Sequence, residues 1–208
     1  MNKIKSIAQH LKQLLILLLI MLLTACGQSS LNGESQQNAT SDARVEAIEI
    51  VNYKVDGDQV QLKIKADLGV QLDPSLASAA LHGVPLYFVY EVKITEPWLF
   101  FFEKELGYQS QEWRIDYQPF LRQWSVNDGK RASQEISLED SLEHISSANH
   151  QQLNLSKPLE PNKKYTAKLR LHLDTTQLPG AFQFNLFNFR SIWSLSSEWQ
   201  NLIFQTST

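Results

Sequence analysis

Cysteine occurs once in this chain, at Cys26, which leaves no second thiol to help ligate a metal. Glycine is scarce as well, eight residues in 208, and neither a Gly-x-Ser-x-Gly elbow nor a glycine cluster able to cradle phosphate is present. The histidines His10, His82, His144, His150 and His172 are scattered, and none forms a helical pair at metal-ligand spacing, so no metal site is expected. Positive charge is in short supply. Setting aside Lys3, Lys5 and Lys12 of the first 25 residues leaves 16 basic residues against 22 acids, a balance of −6, with no basic run beyond Lys130-Arg131 and Lys163-Lys164. Such a surface repels phosphate backbones, and nucleic acid is not an expected partner. Long hydrophobic runs are missing too: Leu14–Leu23 is an unbroken apolar block of ten residues. As a helix it spans roughly 15 Å, about half a hydrocarbon core, too short for a permanent transmembrane helix.

What that block does is set by its flanks. Three lysines precede it and Thr24-Ala25-Cys26 follows, the layout of an exported signal peptide. Leu23-Thr24-Ala25-Cys26 resembles the bacterial lipobox. The resemblance implies that residues 1–25 are a lipoprotein signal peptide and that Cys26 carries a diacylglycerol and an N-acyl chain. These are the only non-protein groups expected. Two or three acyl chains meet the roughly two-signal requirement for stable anchoring. The position after the cysteine is Gly27 rather than the Asp that tends to mark inner-membrane retention, which by the same resemblance implies an outer-membrane lipoprotein facing the periplasm.

The rest of the chain divides in two. Residues 26–44 are the acylated cysteine and a tether: from Gly27 to about Ala43 only Leu31 is a large apolar side chain, too little to offset the entropy of ordering. About 17 such flexible residues have a root-mean-square reach of roughly 20 to 25 Å. Residues 45–208 form a single β-rich domain. Val45–Val55, Asp56-Gly57-Asp58 and Gln59–Leu68 predict a β-hairpin, with Val60, Leu62, Ile64, Ala66 and Leu68 on its buried face. Asp73-Pro74 and Gly83 bracket a short helix with Leu76 and Ala80 inward, and Ser137 starts a second, amphipathic helix carrying Leu138, Leu142 and Ile145. Pro85–Thr95 alternates with Leu86, Phe88, Tyr90, Val92 and Ile94 on one side, and Tyr165–Leu173 with Tyr165, Ala167, Leu169, Leu171 and Leu173. Trp113–Tyr117 and Trp124-Ser125-Val126 also alternate, Phe182–Phe189 follows a Leu178-Pro179-Gly180 turn, and Trp193–Ile203 is expected as a final strand. The expected fold is mainly β, with α+β as the alternative: an antiparallel sandwich, loosely immunoglobulin- or transthyretin-like, with two short helices.

From about Leu68 to Trp199 the chain resembles a proteobacterial family of exported proteins known as domain of unknown function 4390. The likeness rests on Leu81-His82-Gly83-Val84-Pro85-Leu86-Tyr87-Phe88 and on Trp113-Arg114-Ile115-Asp116-Tyr117 leading to Arg122 and Trp124. It continues through Tyr165–Asp174 with Leu178-Pro179 and ends in Trp193-Ser194-Leu195-Ser196-Ser197-Glu198-Trp199. The resemblance implies a fold and an exported location, and no activity.

Two features could carry function. Trp98, Leu99, Phe100, Phe101 and Phe102 form a continuous apolar run that reads either as a strand buried on both faces or as an exposed patch for a lipid or partner. Burial is the expectation, because large exposed patches are rare in soluble domains. Trp193 and Trp199 would share one strand face, with Arg170, Arg122 and Asp174 nearby; core packing around an Arg–Asp pair is the expectation there. The carboxylate pairs Glu139-Asp140 and Asp56/Asp58 fall at a helix start and in a turn, where local hydrogen bonding explains them. The expected function is a noncatalytic interaction module that is membrane-attached through Cys26 and binds another envelope protein. Two alternatives stay open: a carrier or sensor of an apolar ligand, and an enzyme with dispersed catalytic residues.

Overall fold

The computed structural model describes residues 41–178 and 193–206. Cys26, the tether up to Thr40 and the Phe182–Phe189 run lie outside the described residues.

The chain enters the fold through a clamp. Ser41 Oγ donates to Asp73 Oδ2 at 3.0 Å and accepts the Asp73 N–H at 2.9 Å, while Asp73 Oδ1 accepts from Ser75 N and Leu76 N. Asp73 thereby caps helix α1 (Pro74–Leu81), whose first position is proline, and Leu76 and Ala80 turn into the core. Strand β1 (Asp42–Asp56) starts directly after this clamp and buries Ala43, so Ser41–Arg44, the last four residues ascribed to the tether, are held in the fold.

Strand β1 pairs with β2 (Gln59–Gln71) through a turn in which Gly57 takes φ +58°, a conformation that glycine adopts without strain. Strand β2 pairs in turn with β7 (His150–Leu155), giving a three-stranded sheet ordered β1-β2-β7. The larger sheet has six strands ordered β6-β5-β4-β3-β8-β9, formed by β3 (Leu86–Pro97), β4 (Glu103–Gln118), β5 (Gln123–Asn127), β6 (Ala132–Glu135), β8 (Lys164–Leu173) and β9 (Gln200–Gln205). Every pairing is antiparallel. Helix α2 (Leu138–Ser147) is capped by Ser137, whose Oγ accepts the Asp140 N–H at 3.0 Å, and it buries Ile145. The mainly β architecture, with two short helices and two antiparallel sheets among the described residues, is the expected one.

One core joins the sheets. The anticipated faces of β2, β3 and β8 are all inside: Leu62 and Ile64, then Leu86, Phe88, Tyr90, Val92 and Ile94, then Tyr165, Leu169 and Leu171. Each such side chain contributes about 1.5–3 kcal/mol when fully buried. The sheets meet most closely where β7 crosses β4. There the β3–β4 register slips by one residue between Ile94 and Thr95, and Leu106 O accepts the Ser156 N–H at 2.7 Å. A Cβ on Gly107 would lie 2.7 Å from Leu155 Cδ2 and 2.9 Å from Asn154 O, so this crossing requires glycine.

The final segment corrects an expectation. Trp193–Ile203 is not one strand. Ser196 makes a single bridge to His172, Glu198 takes φ +55°, and regular pairing with β8 begins at Gln200. Ser197 is the cause: its N–H donates to Leu171 O at 2.8 Å while its Oγ accepts the Leu171 N–H at 2.9 Å, replacing a ladder bond with a side-chain bond. Trp193 and Trp199 consequently do not share a strand face with Leu195 and Ser197.

Candidate functional site

The apolar run Trp98–Phe102 is not a buried strand. It is the tip of the β3–β4 hairpin, and all five side chains are exposed, from 59% for Leu99 to 98% for Phe101. The tip is closed by its backbone: Trp98 N–H donates to Phe102 O at 2.8 Å, Phe102 N–H donates to Leu99 O at 3.0 Å, and Phe100 sits at φ +55°. An apolar run of this kind reads as a strand because none of its residues is a turn former. Strand β3 carries the turn beyond its last core residue, Ile94, and none of these side chains joins the core.

Directly behind the tip lies a band of paired charges. Glu96, almost wholly buried, is held by Lys157 Nζ and Lys163 Nζ, each at 2.8 Å, and Lys168 pairs with Glu103. The hydrogen bonds from Lys157 and Lys163 hold the Glu96 carboxyl below the ordinary carboxylate range against the cost of burial. The loop that supplies both lysines is pinned by two phenols, since Leu159 N–H donates to Tyr53 Oη at 2.7 Å and Glu160 N–H to Tyr165 Oη at 2.8 Å. Nothing in the sequence spacing singles out this band, because its members come from β3, β4, β8 and the β7–β8 loop.

A second polar cluster lies on the outer face of the large sheet. Glu91 accepts from Arg170 Nε at 3.0 Å and from Tyr108 Oη at 3.0 Å, with His172 Nδ1 3.6 Å away. Burial pushes the Glu91 carboxyl up, but the bonds from Arg170 and Tyr108 and the nearby positive charge outweigh it and leave the carboxyl below its ordinary range. The Arg170 guanidinium and the Lys93 ammonium both lie over Trp199, at 4.6 and 4.9 Å from the ring centroid. Arg170 therefore pairs with Glu91, not with Asp174, which accepts instead from Thr176 and Gln177. Arg122 stands apart in the β4–β5 turn at φ +54°.

A third feature is an open groove of about 540 Å³ beside α2, lined by Trp113, Val126, Asp128, Arg131 and His144 among others. His144 Nε2 is 2.6 Å from Glu135 Oε1 and 3.3 Å from Ser133 Oγ. A serine–histidine relay needs the acid on one ring nitrogen and the hydroxyl on the other. Here both address Nε2, so this trio does not activate the serine. Among the described residues no group of three or more His, Cys, Asp or Glu side chains is placed to hold a metal, and no helix is long and apolar enough to cross a membrane.

The fold thus defines an antiparallel two-sheet module with an aromatic hairpin tip at one end. Residues 45–203 match the family model described as Domain of unknown function (DUF4390). The chain belongs to that family, and the match reaches further towards both ends than the resemblance read from the sequence. Neither a curated protein nor a solved structure matches it.

Proposed function

We propose that this protein is a noncatalytic docking module of the bacterial cell envelope, attached to the outer membrane through acylated Cys26, facing the periplasm, and working through the Trp98–Phe102 tip. The observation that carries the docking reading is the exposure of five consecutive large apolar side chains on a projecting hairpin, since soluble domains rarely expose such a patch and where they do it marks an interaction site. Envelope placement is supported by the signal-peptide layout and the lipobox-like residues before Cys26.

The rival readings have less support. A carrier of an apolar ligand needs a concave, mostly apolar pocket, whereas the groove beside α2 is open and carries Asp128, Arg131 and His144. An enzyme needs converging groups in a usable geometry, and the His144 trio lacks it.

Two measurements test the proposal. The intact mass of the native product should equal the chain from Cys26 plus its acyl groups; a bare sulfur or an uncut leader would sink the attachment. A photoreactive phenylalanine in place of Phe101 should form an adduct with an envelope component in living cells. No adduct, when the same probe at the equally exposed Phe120 also forms none, would leave the tip without a partner and end the docking reading.

A further inference from the structure

The tip itself constrains what covers it. Its five side chains, all exposed, project from the narrow two-stranded turn between β3 and β4. Protein hot spots lie at the centre of well-packed, shape-matched surfaces. A bilayer makes no demand for shape. The order of residues also suits a lipid boundary: Trp98 and Phe102 stand at the base of the turn, and Phe100 and Phe101, the most exposed pair, stand at its crest. Trp98 N–H and Phe102 N–H are satisfied inside the turn, which removes two donors that would otherwise resist leaving water.

Charge agrees with this occupant. The chain beyond residue 25 carries −6, yet the acids nearest the tip are neutralised, Glu96 by Lys157 and Lys163 and Glu103 by Lys168. Exposed Lys104 and Lys164 balance exposed Glu105 and Glu160 at the same end. An end this close to neutral can approach a head-group layer, where a surface typical of the rest of the chain would be repelled if the lipids were anionic. From these observations we infer that the β3–β4 tip docks onto a phospholipid bilayer, with Phe100 and Phe101 entering the head-group boundary and Trp98 lying at its level. The inference rests on the docking reading above and gives it a chemical class of partner.

The geometry allows the same membrane to supply both contacts. The start of β1 lies at the end of the fold away from the tip, because Asp42–Glu46 border Ser196–Gln200 beside the far end of β8, whereas the tip lies beyond the Thr95–Thr166 pair. From Phe88, opposite Leu173, to Trp98 is ten residues of strand, about 33 Å. Gly27–Thr40, fully extended, covers about 50 Å, so the tether is long enough for the domain to lie down.

The test uses a chain begun at Gly27, which contains every core residue and no acyl group, so that any lipid binding reports the folded part. It is mixed with vesicles of phosphatidylcholine or of phosphatidylethanolamine with phosphatidylglycerol, and flotation is read alongside tryptophan quenching by brominated lipid. The parent should float with both vesicle types and be quenched, and Trp98→Phe should remove most of the quenching. Phe100→Ser with Phe101→Ser should cut partitioning by about tenfold or more, while Ile136→Ser, at an exposed site just after β6 and away from the tip, should not. The inference is overturned if the parent stays in solution, or if the double variant floats as the parent does. A tip that ignores vesicles but gives a protein adduct from the photoreactive probe would overturn the bilayer and leave the docking reading standing.

Discussion

Glu91 and Arg170 face each other across the β3–β8 pair, 79 residues apart in sequence, and the guanidinium that grips the carboxylate also covers Trp199. The pair lies on the outer face of the large sheet, under the Trp199 ring that the segment along the edge of β8 supplies. Arg170→Met should strand a carboxylate that is nine-tenths buried and cost about 2 kcal/mol in a denaturant melt. Adding Glu91→Gln should recover part of that loss, because no buried charge is then left alone. An additive double variant would show that the two groups do not act as a unit.

Acid should weaken the fold in two steps. Burial, helped by the positive charge of Arg170, pushes the His172 pKa down against the pull of Glu91 and Asp174, so the native state prefers the neutral ring. With a depressed folded pKa, this contribution is complete above the unfolded value of about 6.5 and declines as pH falls through it towards the folded value. Glu91 and Glu96 are also depressed, so their contributions are complete above about 4.3 and are lost on further acidification. The melting temperature should fall first just below pH ~6.5 and again below pH ~4.3. His172→Gln should abolish the first fall and keep the second; a parent whose Tm is flat between pH ~7 and ~5 contradicts this assignment.

Packing at the sheet crossing predicts a large effect from one methyl group. Gly107→Ala would place a carbon 2.9 Å from a backbone oxygen of β7, and backbone does not yield as the end of a side chain does. A loss of about 1–3 kcal/mol is expected, or a fall of roughly 2–12 °C for a domain of this size. Thermal unfolding followed by circular dichroism measures it directly.

How much of this could be read along the chain depended on whether a feature was local. Alternation exposed the inward faces of β2, β3 and β8, since each places every second residue in one core, and the caps of both helices were legible because Asp73 and Ser137 act on backbone within three residues of themselves. Strand β6 was not legible: Ala132–Glu135 is an edge strand without a buried residue, so no period marks it. An Arg–Asp pair was expected beside Trp199, and the Glu91 partner of Arg170 was not legible because nothing along the chain says that β8 lies beside β3. The tip was misread for a subtler reason. Composition says that Trp98–Phe102 is apolar, but not that β3 and β4 extend past the core before they turn.

That correction carries its own test. If Phe100 and Phe101 are as free as their exposure indicates, replacing both with Ser should move Tm by no more than surface substitutions do, about 0.5 kcal/mol in stability. The same exchange at two core positions would cost several times more. A cooperative loss of structure in the double variant would return the run to the core.

The least comfortable residue in the interior is Tyr90. It is fully buried in the centre of β3, its hydroxyl has no hydrogen-bond partner among the described residues, and burial pushes its phenol far above the ordinary range. A stranded buried hydroxyl costs about 1–3 kcal/mol relative to one that is paired. Tyr90→Phe keeps the ring that Val92, Leu171 and their neighbours pack around and removes only the stranded oxygen. The variant should therefore be more stable than the parent by about 1 kcal/mol, a rise of about 2–4 °C in Tm. A fall in Tm would mean instead that a water molecule or another group satisfies the hydroxyl, and would place a polar site inside the core at β3.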